Sequence, residues 1–189
     1  MKTALFTLAV IFMTGCNQES SPTSPDGYTE GASPNSLSKA GKGIVHHVSA
    51  GTNDADPSVF GVKDASFSLV ANEKANGNVT GNWVDVVKSE NGNENSVHVS
   101  INSMKVVDNY AILTGIVKKG IRGGVDVTGR TALTMVRDNG TSANDPADEI
   151  SFSIVLGEGD TRTSDDFTLE TFTSREWLFP IKNGQVKVN

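Results

Sequence analysis

A strict alternation of apolar and polar residues constrains this chain more than any other feature. In three segments every second residue is apolar, which places the apolar side chains on one face of a strand: residues 66–71 (SFSLVA), 97–102 (VHVSIN) and 150–156 (ISFSIVL). A period of two residues is that of a half-buried strand, whereas an amphipathic helix repeats every 3.6 residues. A weaker pattern with the same β-branched bias marks residues 79–87, 110–118 and 131–137. The chain therefore reads as a series of strands.

Short turn signals separate these strands. Asn-Gly occurs at positions 76–77, 91–92, 139–140 and 183–184, and Asp108-Asn109 lies between two apolar pairs. Asn and Gly both accept the positive φ that a two-residue type I′ hairpin turn requires. Successive strands should therefore pair with their neighbours. The last Asn-Gly predicts a C-terminal hairpin that closes the sheet.

These signals predict an all-β fold over residues 43–189. We expect a single antiparallel meander domain of about seven to nine strands, because the turn signals recur at the spacing of such folds. The chain offers no ten-residue stretch of helical periodicity that would serve a crossover between parallel strands. A small β-barrel and a β-sandwich both fit the pattern.

The first sixteen residues, MKTALFTLAVIFMTGC, carry an export signal. Lys2 provides a positive start, and the apolar run 4–13 is too short to cross a bilayer of about 30 Å as a helix. Met13-Thr14-Gly15-Cys16 resembles the lipobox of bacterial lipoprotein precursors, although Met13 stands where that family prefers Leu. The resemblance implies removal of residues 1–15 and attachment of fatty acyl chains such as palmitate to Cys16.

The alternative is ordinary secretion, in which a general signal peptidase cuts the chain. That enzyme requires small residues one and three positions before the cut, and Met13 disfavours cleavage after Gly15. Two or three acyl chains on Cys16 would anchor the protein stably to a membrane. The residue after the cysteine is Asn17 and not Asp. In a Gram-negative cell, the lipoprotein resemblance then implies the outer membrane within the cell envelope.

Residues 16–42 are expected to form a flexible tether after the lipidated cysteine. Ser, Pro, Gly and Thr dominate this stretch, and its large apolar residues are Tyr28 and Leu37. Such a composition buries too little apolar surface to offset the entropy of ordering. The chain therefore divides into a signal peptide (1–15), a tether (16–42) and a β-domain (43–189).

Charge and cysteine content exclude several classes of function. The formal net charge is −6, which disfavours a nucleic-acid partner because phosphate binding requires a basic face. The chain has one cysteine, so an internal disulfide is excluded, and Cys and His do not occur at zinc-finger spacing.

The β-domain also resembles a recurring type of secreted bacterial protein with no assigned activity. Three stretches carry this resemblance: residues 67–71 with 79–81, residues 107–111 leading to 114–115, and residues 136–151. The resemblance implies one β-domain behind a secretion signal. It implies no catalytic residue and no ligand.

The richest group of oxygen ligands lies between two predicted strands. Its members are Asp138, Asn139, Asn144, Asp145 and Asp148. Calcium takes six to eight oxygen ligands, and a loop dense in carboxylates and amides supplies this type of ligand. The spacing matches neither the EF-hand nor the nonapeptide calcium repeat. The simpler interpretation is a solvated loop in which Asp and Asn cap turns, with no cofactor bound.

Catalytic signals are sparse. His98 lies on the polar face of its strand and is a candidate general base, but the chain lacks the Gly-x-Ser-x-Gly pattern of a nucleophile elbow. The KGIRGG stretch at residues 119–124 lacks the spacing of a phosphate loop and is expected to connect two strands.

We therefore expect a lipid-anchored extracytoplasmic module without catalysis, which binds a ligand or an envelope protein or polysaccharide. The first alternative is a hydrolase that uses His98 or a pair of carboxylates. The second alternative is an adhesion module stabilised by calcium.

Overall fold

The computed structural model describes residues 43–55, 62–89, 94–142 and 144–189. These residues form an all-β fold, as predicted, with one short α-helix, α1 (Leu169–Thr173), and one turn of 3₁₀ helix, Ser164–Asp166. The described part contains ten strands: β1 (Ile44–Ala55), β2 (Val62–Lys74), β3 (Val79–Ser89), β4 (Glu94–Val107), β5 (Tyr110–Arg122), β6 (Val125–Asp126), β7 (Thr131–Arg137), β8 (Glu149–Ile150), β9 (Ile154–Val155) and β10 (Phe179–Val188).

The expected signal peptide, Cys16 and the tether lie outside the described residues. Within the described ranges, no helix is long and apolar enough to cross a membrane.

Strands β1 to β5 form the predicted antiparallel meander. Each of them pairs with its neighbour in sequence, and β5 then pairs with β7. Asp108 and Asn109 make the two-residue turn between β4 and β5, and Asp108 adopts a φ of 51°, in the left-handed region that Asp tolerates. Asn76-Gly77 turns the chain between β2 and β3 as predicted, whereas Asn91-Gly92 lies outside the described residues.

The strand pairings close the sheet into a ring. From β7 the ring continues through β8 and β10 and returns to β1, while β6 and β9 are short additions beside β5 and β7. A closed sheet has few exposed strand edges, which reduces edge-to-edge aggregation. Of the two predicted architectures, this single closed sheet corresponds to the small barrel.

The interior of the closed sheet is apolar. Alternate residues of all eight strands in the ring contribute to one buried cluster, including Phe67, Leu69, Val97 and Leu113. Trp83 on β3 is fully buried there, with 0% of its surface exposed. The alternation seen in the sequence therefore marks the inward face of each strand.

A second apolar layer covers the outer face of β5 and β7. Ile112, Leu133 and Met135 point outward from these strands and pack against Phe167 and Phe172 of the segment that follows β9. Because β5 and β7 are buried on both faces, their residues show continuous burial instead of alternation.

The predicted C-terminal hairpin at Asn183-Gly184 is wrong. Both residues lie inside β10, which is one strand that pairs with β1 on one side and β8 on the other. Gly184 has a φ of 149°, and a Cβ atom at this position would collide with the carbonyl oxygen of Gly51. This glycine therefore permits a close approach of two backbones and makes no turn.

The segment 150–156 also differs from the single strand predicted for it. It forms β8 and β9 with residues 151–153 between them outside any strand. Ser151 and Ser153 are buried, although the alternation predicts that they face solvent. The Ser151 hydroxyl accepts a hydrogen bond from the Met135 N–H at 2.9 Å, so a polar side chain is accommodated on the inner side.

Candidate functional site

The closed sheet has two ends, and the candidate site lies at the one where β1, β3 and β5 end. We call this the first end. The second end is where β2 and β4 end and β1 begins.

Asp85 is a buried carboxylate near the first end. It follows Trp83 on the inward face of β3, and 0% of its surface is exposed. Its direct neighbours across the sheet are Phe67 on β2 and Val97 on β4, both apolar. A carboxylate in such surroundings requires compensating partners, since an unpaired buried charge is strongly destabilising.

Arg122 and Ser153 supply these partners. Arg122 Nη2 donates to Asp85 Oδ2 at 2.9 Å and to the Ser153 carbonyl oxygen at 2.9 Å. The Ser153 backbone N–H donates to Asp85 Oδ2 at 2.6 Å, and the Ser153 hydroxyl accepts from Trp83 Nε1 at 2.8 Å. The Asp85–Arg122 pair therefore binds the backbone at Ser153 in place of a neighbouring strand. Ser153 lies in the interruption between β8 and β9.

The ion pair is only partly satisfied. Asp85 Oδ1 and Arg122 Nε are both buried and make no hydrogen bond to any residue in the described ranges. Burial raises the pKa of the Asp85 carboxyl, and this effect exceeds the opposing charge of Arg122 and the hydrogen bonds from Ser153 and Arg122. Unsatisfied groups and a perturbed carboxyl are more frequent at functional sites than elsewhere in a protein.

A cavity of about 190 Å³ lies beside this pair, and we call it the mouth pocket. Its lining is mostly apolar: Val87, Arg122, Phe152, Ser153, Ile154, Trp177 and Phe179. Phe152 and Phe179 pack with their ring centroids 5.6 Å apart. Among the described residues that line the pocket, Arg122 alone has an ionisable side chain, and 24% of that side chain is exposed. An apolar cavity with one strong donor is typical of a small-molecule binding site.

His98 lies on the outer face of the sheet, away from the mouth pocket. It is exposed and stands directly opposite Val84, whereas Asp85 stands opposite Val97 on the inner face. Directly paired residues share a face, so His98 and Asp85 point to opposite sides of the sheet. Among the described residues, His98 has no hydrogen-bonding partner. The geometry does not combine His98 with a carboxylate and a nucleophile.

The predicted calcium ligands lie in the loop at the second end, where the three aspartates accept hydrogen bonds from backbone N–H groups. Asp148 is buried and accepts from Asn139 N at 2.8 Å and from Val186 N at 2.7 Å. Asp138 accepts from Gly140 N at 3.0 Å and from Val188 N at 3.2 Å. These two carboxylates attach the loop to β10.

The other members of the predicted group serve local turns. Asp145 Oδ2 accepts from Ser142 N at 2.8 Å, and the Asn139 amide donates to the Ala147 carbonyl oxygen at 2.7 Å. Asn144 is exposed. Across the described ranges, no three His, Cys, Asp or Glu side chains are grouped closely enough to hold a metal ion. Calcium binding by this loop stays an alternative to the solvated turn loop.

Sequence reasoning missed the mouth pocket. It gave no role to Asp85, Arg122 or Ser153. One local signal was present: Asp85 occupies the inward position between Trp83 and Val87 in an alternating strand. Arg122 lies in the KGIRGG stretch, of which residues 119–122 belong to β5 and the turn begins at Gly123.

Comparisons with known proteins give no relative: no protein-family model, curated protein or solved structure matches this chain. The described residues define a small closed β-sheet protein with an apolar pocket at one end.

Proposed function

We propose that this protein is a lipid-anchored extracytoplasmic binding module without catalytic activity, and that the mouth pocket is its ligand site. The observation that carries the proposal is the pocket itself. Phe152, Trp177 and Phe179 supply an apolar wall, and Arg122 supplies one strong polar contact. This combination gives affinity through apolar burial and orientation through a single donor group.

The ionisable groups around the pocket favour binding over catalysis. The guanidinium of Arg122 donates hydrogen bonds and has no acceptor, so it cannot serve as a general base. Asp85 lies behind Arg122 and is fully buried. The Ser153 hydroxyl accepts from Trp83 Nε1 and has no histidine partner among the described residues. A hydrolytic mechanism requires a general base within hydrogen-bonding distance of its nucleophile.

The anchor is tested by expressing the full chain in a bacterium in the presence of a palmitate analogue that can be labelled. We expect label on the wild-type protein and recovery of the protein in the membrane fraction. The Cys16→Ser variant should carry no label. Equal labelling of the two proteins, or recovery of unlabelled wild-type protein in the soluble fraction, would contradict the anchor.

The pocket is tested by two-dimensional ¹H–¹⁵N NMR, because the two tryptophans give separate indole N–H signals. Benzyl alcohol, a small neutral ring, should shift the Trp177 signal saturably at millimolar concentration. The Ile154→Trp variant fills the pocket and should abolish binding. Val70→Trp is the matched control, since Val70 is 44% exposed on β2 and lies outside the pocket. If benzyl alcohol and charged rings of the same size all fail to shift the signal, the ligand site is wrong.

A further inference from the structure

The charge and size of the mouth pocket indicate the chemical class of its ligand. Resting on the function proposed above, we propose that the pocket selects a small organic anion. The apolar part of the ligand lies against Phe152, Trp177 and Phe179, and its negative group accepts hydrogen bonds from Arg122 Nη1.

The volume limits the size of the ligand. The cavity measures about 190 Å³. An apolar cavity of about 150 Å³ in another protein binds benzene. The mouth pocket therefore holds one aromatic ring, or a short branched chain, together with a small head group.

The hydrogen bonds of Arg122 leave donors for such a head group. The two N–H bonds of Nη2 are used by Asp85 Oδ2 and by the Ser153 carbonyl oxygen. Both hydrogen bonds from the Arg122 side chain to described residues come from Nη2 and none from Nη1, and Nε is buried without a partner among these residues. A guanidinium offers donors alone and no acceptor, so the group that completes it is an acceptor, and an anion forms the stronger bond.

Asp85 sets how strongly the pocket attracts an anion. The residues that face Asp85 are Phe67 on β2, Val97 on β4, Arg122 on β5 and Ser153 after β8. Arg122 is the sole ionisable group in this described set. When Asp85 is ionised it neutralises Arg122, and when Asp85 is protonated the site carries a full positive charge. Anion affinity should therefore increase as the pH falls through the pKa of Asp85, which burial raises.

Three probes of equal ring size separate the contributions of ring and charge. They are benzenesulfonate, benzyl alcohol and benzylammonium, and the sulfonate stays ionised at every pH used. Titration of the Trp177 indole signal of the wild-type domain gives each affinity. We expect the sulfonate to bind about tenfold or more tightly than the alcohol, since a hydrogen bond to a charged group is worth at least that factor. The ammonium should bind weakest.

Two variants test the roles of the ion pair. Arg122→Gln should reduce sulfonate affinity about tenfold or more and reduce alcohol affinity much less, because a neutral hydroxyl loses a weaker hydrogen bond than an anion does. Asp85→Asn should increase sulfonate affinity severalfold at a pH at which Asp85 is ionised in the wild type, and it should remove the pH dependence of that affinity. If Arg122→Gln does not fold, the double variant Asp85→Asn with Arg122→Gln replaces the ion pair with two neutral amides, leaves no unpaired buried charge, and is compared with Asp85→Asn alone.

The outcomes distinguish this inference from the function on which it rests. Equal affinity for sulfonate and alcohol, or sulfonate affinity that Arg122→Gln does not change, overturns selection of an anion and leaves the pocket as a ligand site. Failure of all three probes overturns the ligand site itself. Sulfonate affinity that falls as the pH falls in the wild type contradicts the role of Asp85.

Discussion

Asp85 and Arg122 form an ion pair of 2.9 Å across 37 residues of sequence, and they do so between strands that are not neighbours in the sheet. Asp85 belongs to β3 and Arg122 to β5, with β4 between them. Together they bind the backbone of Ser153, so one pair connects three segments of the closed sheet. The same pair supplies the polar wall of the mouth pocket.

The stability of the domain should report the protonation of Asp85. Burial raises the pKa of this carboxyl, so the native state binds its proton more tightly than the unfolded chain does. The free energy of unfolding of the wild type should therefore increase, relative to that of Asp85→Asn, as the pH falls through the raised pKa towards the unfolded value. Urea unfolding of both proteins from about pH 8 to about pH 4 measures the difference.

The comparison between wild type and Asp85→Asn isolates one group, because every other titrating side chain is present in both proteins. If the free energy of unfolding of the wild type instead decreases relative to that of Asp85→Asn as the pH falls, Arg122 and the Ser153 N–H hold the carboxyl in its charged form. In that case the hydrogen bonds, and not burial, would determine the pKa of Asp85.

The fold was predictable because its signals are local. Alternation identified the inward faces of β2, β3 and β4, and Asp108-Asn109 identified the turn into β5. These features depend on residues close in sequence and on the two-residue period of a strand. The closure of the ring depends on only two residue pairs between β8 and β10, which no local pattern marks.

The candidate site was less predictable because it is assembled from distant residues. Arg122 resembled part of a glycine-rich loop, and Ser153 resembled a solvent-facing residue of a strand. Gly184 resembled a turn residue, although its role is a close approach to Gly51. In each of these cases a tertiary contact, and not local propensity, decides the conformation.

Gly115 on β5 should tolerate no side chain. A Cβ atom there would lie 2.9 Å from the Ile101 Cα atom on β4 and closer still to the Ser100 carbonyl oxygen. Gly115→Ala should therefore reduce the free energy of unfolding by about 1–3 kcal/mol. Gly157→Ala is the matched control, because nothing lies within 4 Å of a Cβ atom at that position. Equal unfolding midpoints for the two variants would show that β4 and β5 move apart readily.

The outer layer should be an integral part of the fold. Phe172 on α1 is fully buried against the outward side chains of β5 and β7. Phe172→Ala should cost about 3–5 kcal/mol in the free energy of unfolding. The neighbouring exposed Thr173→Ala should cost about 0.5 kcal/mol or less. A small effect at Phe172 would indicate that this layer opens without unfolding the closed sheet.

Asp148 should stabilise the loop at the second end through its two backbone hydrogen bonds. Asp148→Ala removes the acceptor of Val186 N, which is buried, and of Asn139 N. We expect a loss of about 2 kcal/mol or more in the free energy of unfolding. Asp145→Ala, at an exposed turn of the same loop, should cost about 0.5 kcal/mol. Losses of similar size would contradict the attachment of the loop to β10 through Asp148.

Calcium should not change the stability of the domain, because backbone donors already bind the loop carboxylates without a cation. Asp138 and Asp148 each accept two backbone N–H groups, and Asp145 accepts one. A ligand that binds only the native state raises the melting temperature by mass action. We therefore expect equal melting temperatures with millimolar calcium and with EDTA.

A rise of several degrees in calcium, reversed by EDTA, would identify a cation site and favour the adhesion module over the proposed ligand-binding module. The Asp145→Asn variant then locates that site. Asp145 is exposed, and its carboxylate accepts a hydrogen bond within a local turn. Replacing it with Asn should therefore remove a calcium effect that depends on this loop and leave the fold intact. A calcium effect that persists in Asp145→Asn would place the cation elsewhere in the chain, since loss of one charged ligand weakens a site built from few carboxylates.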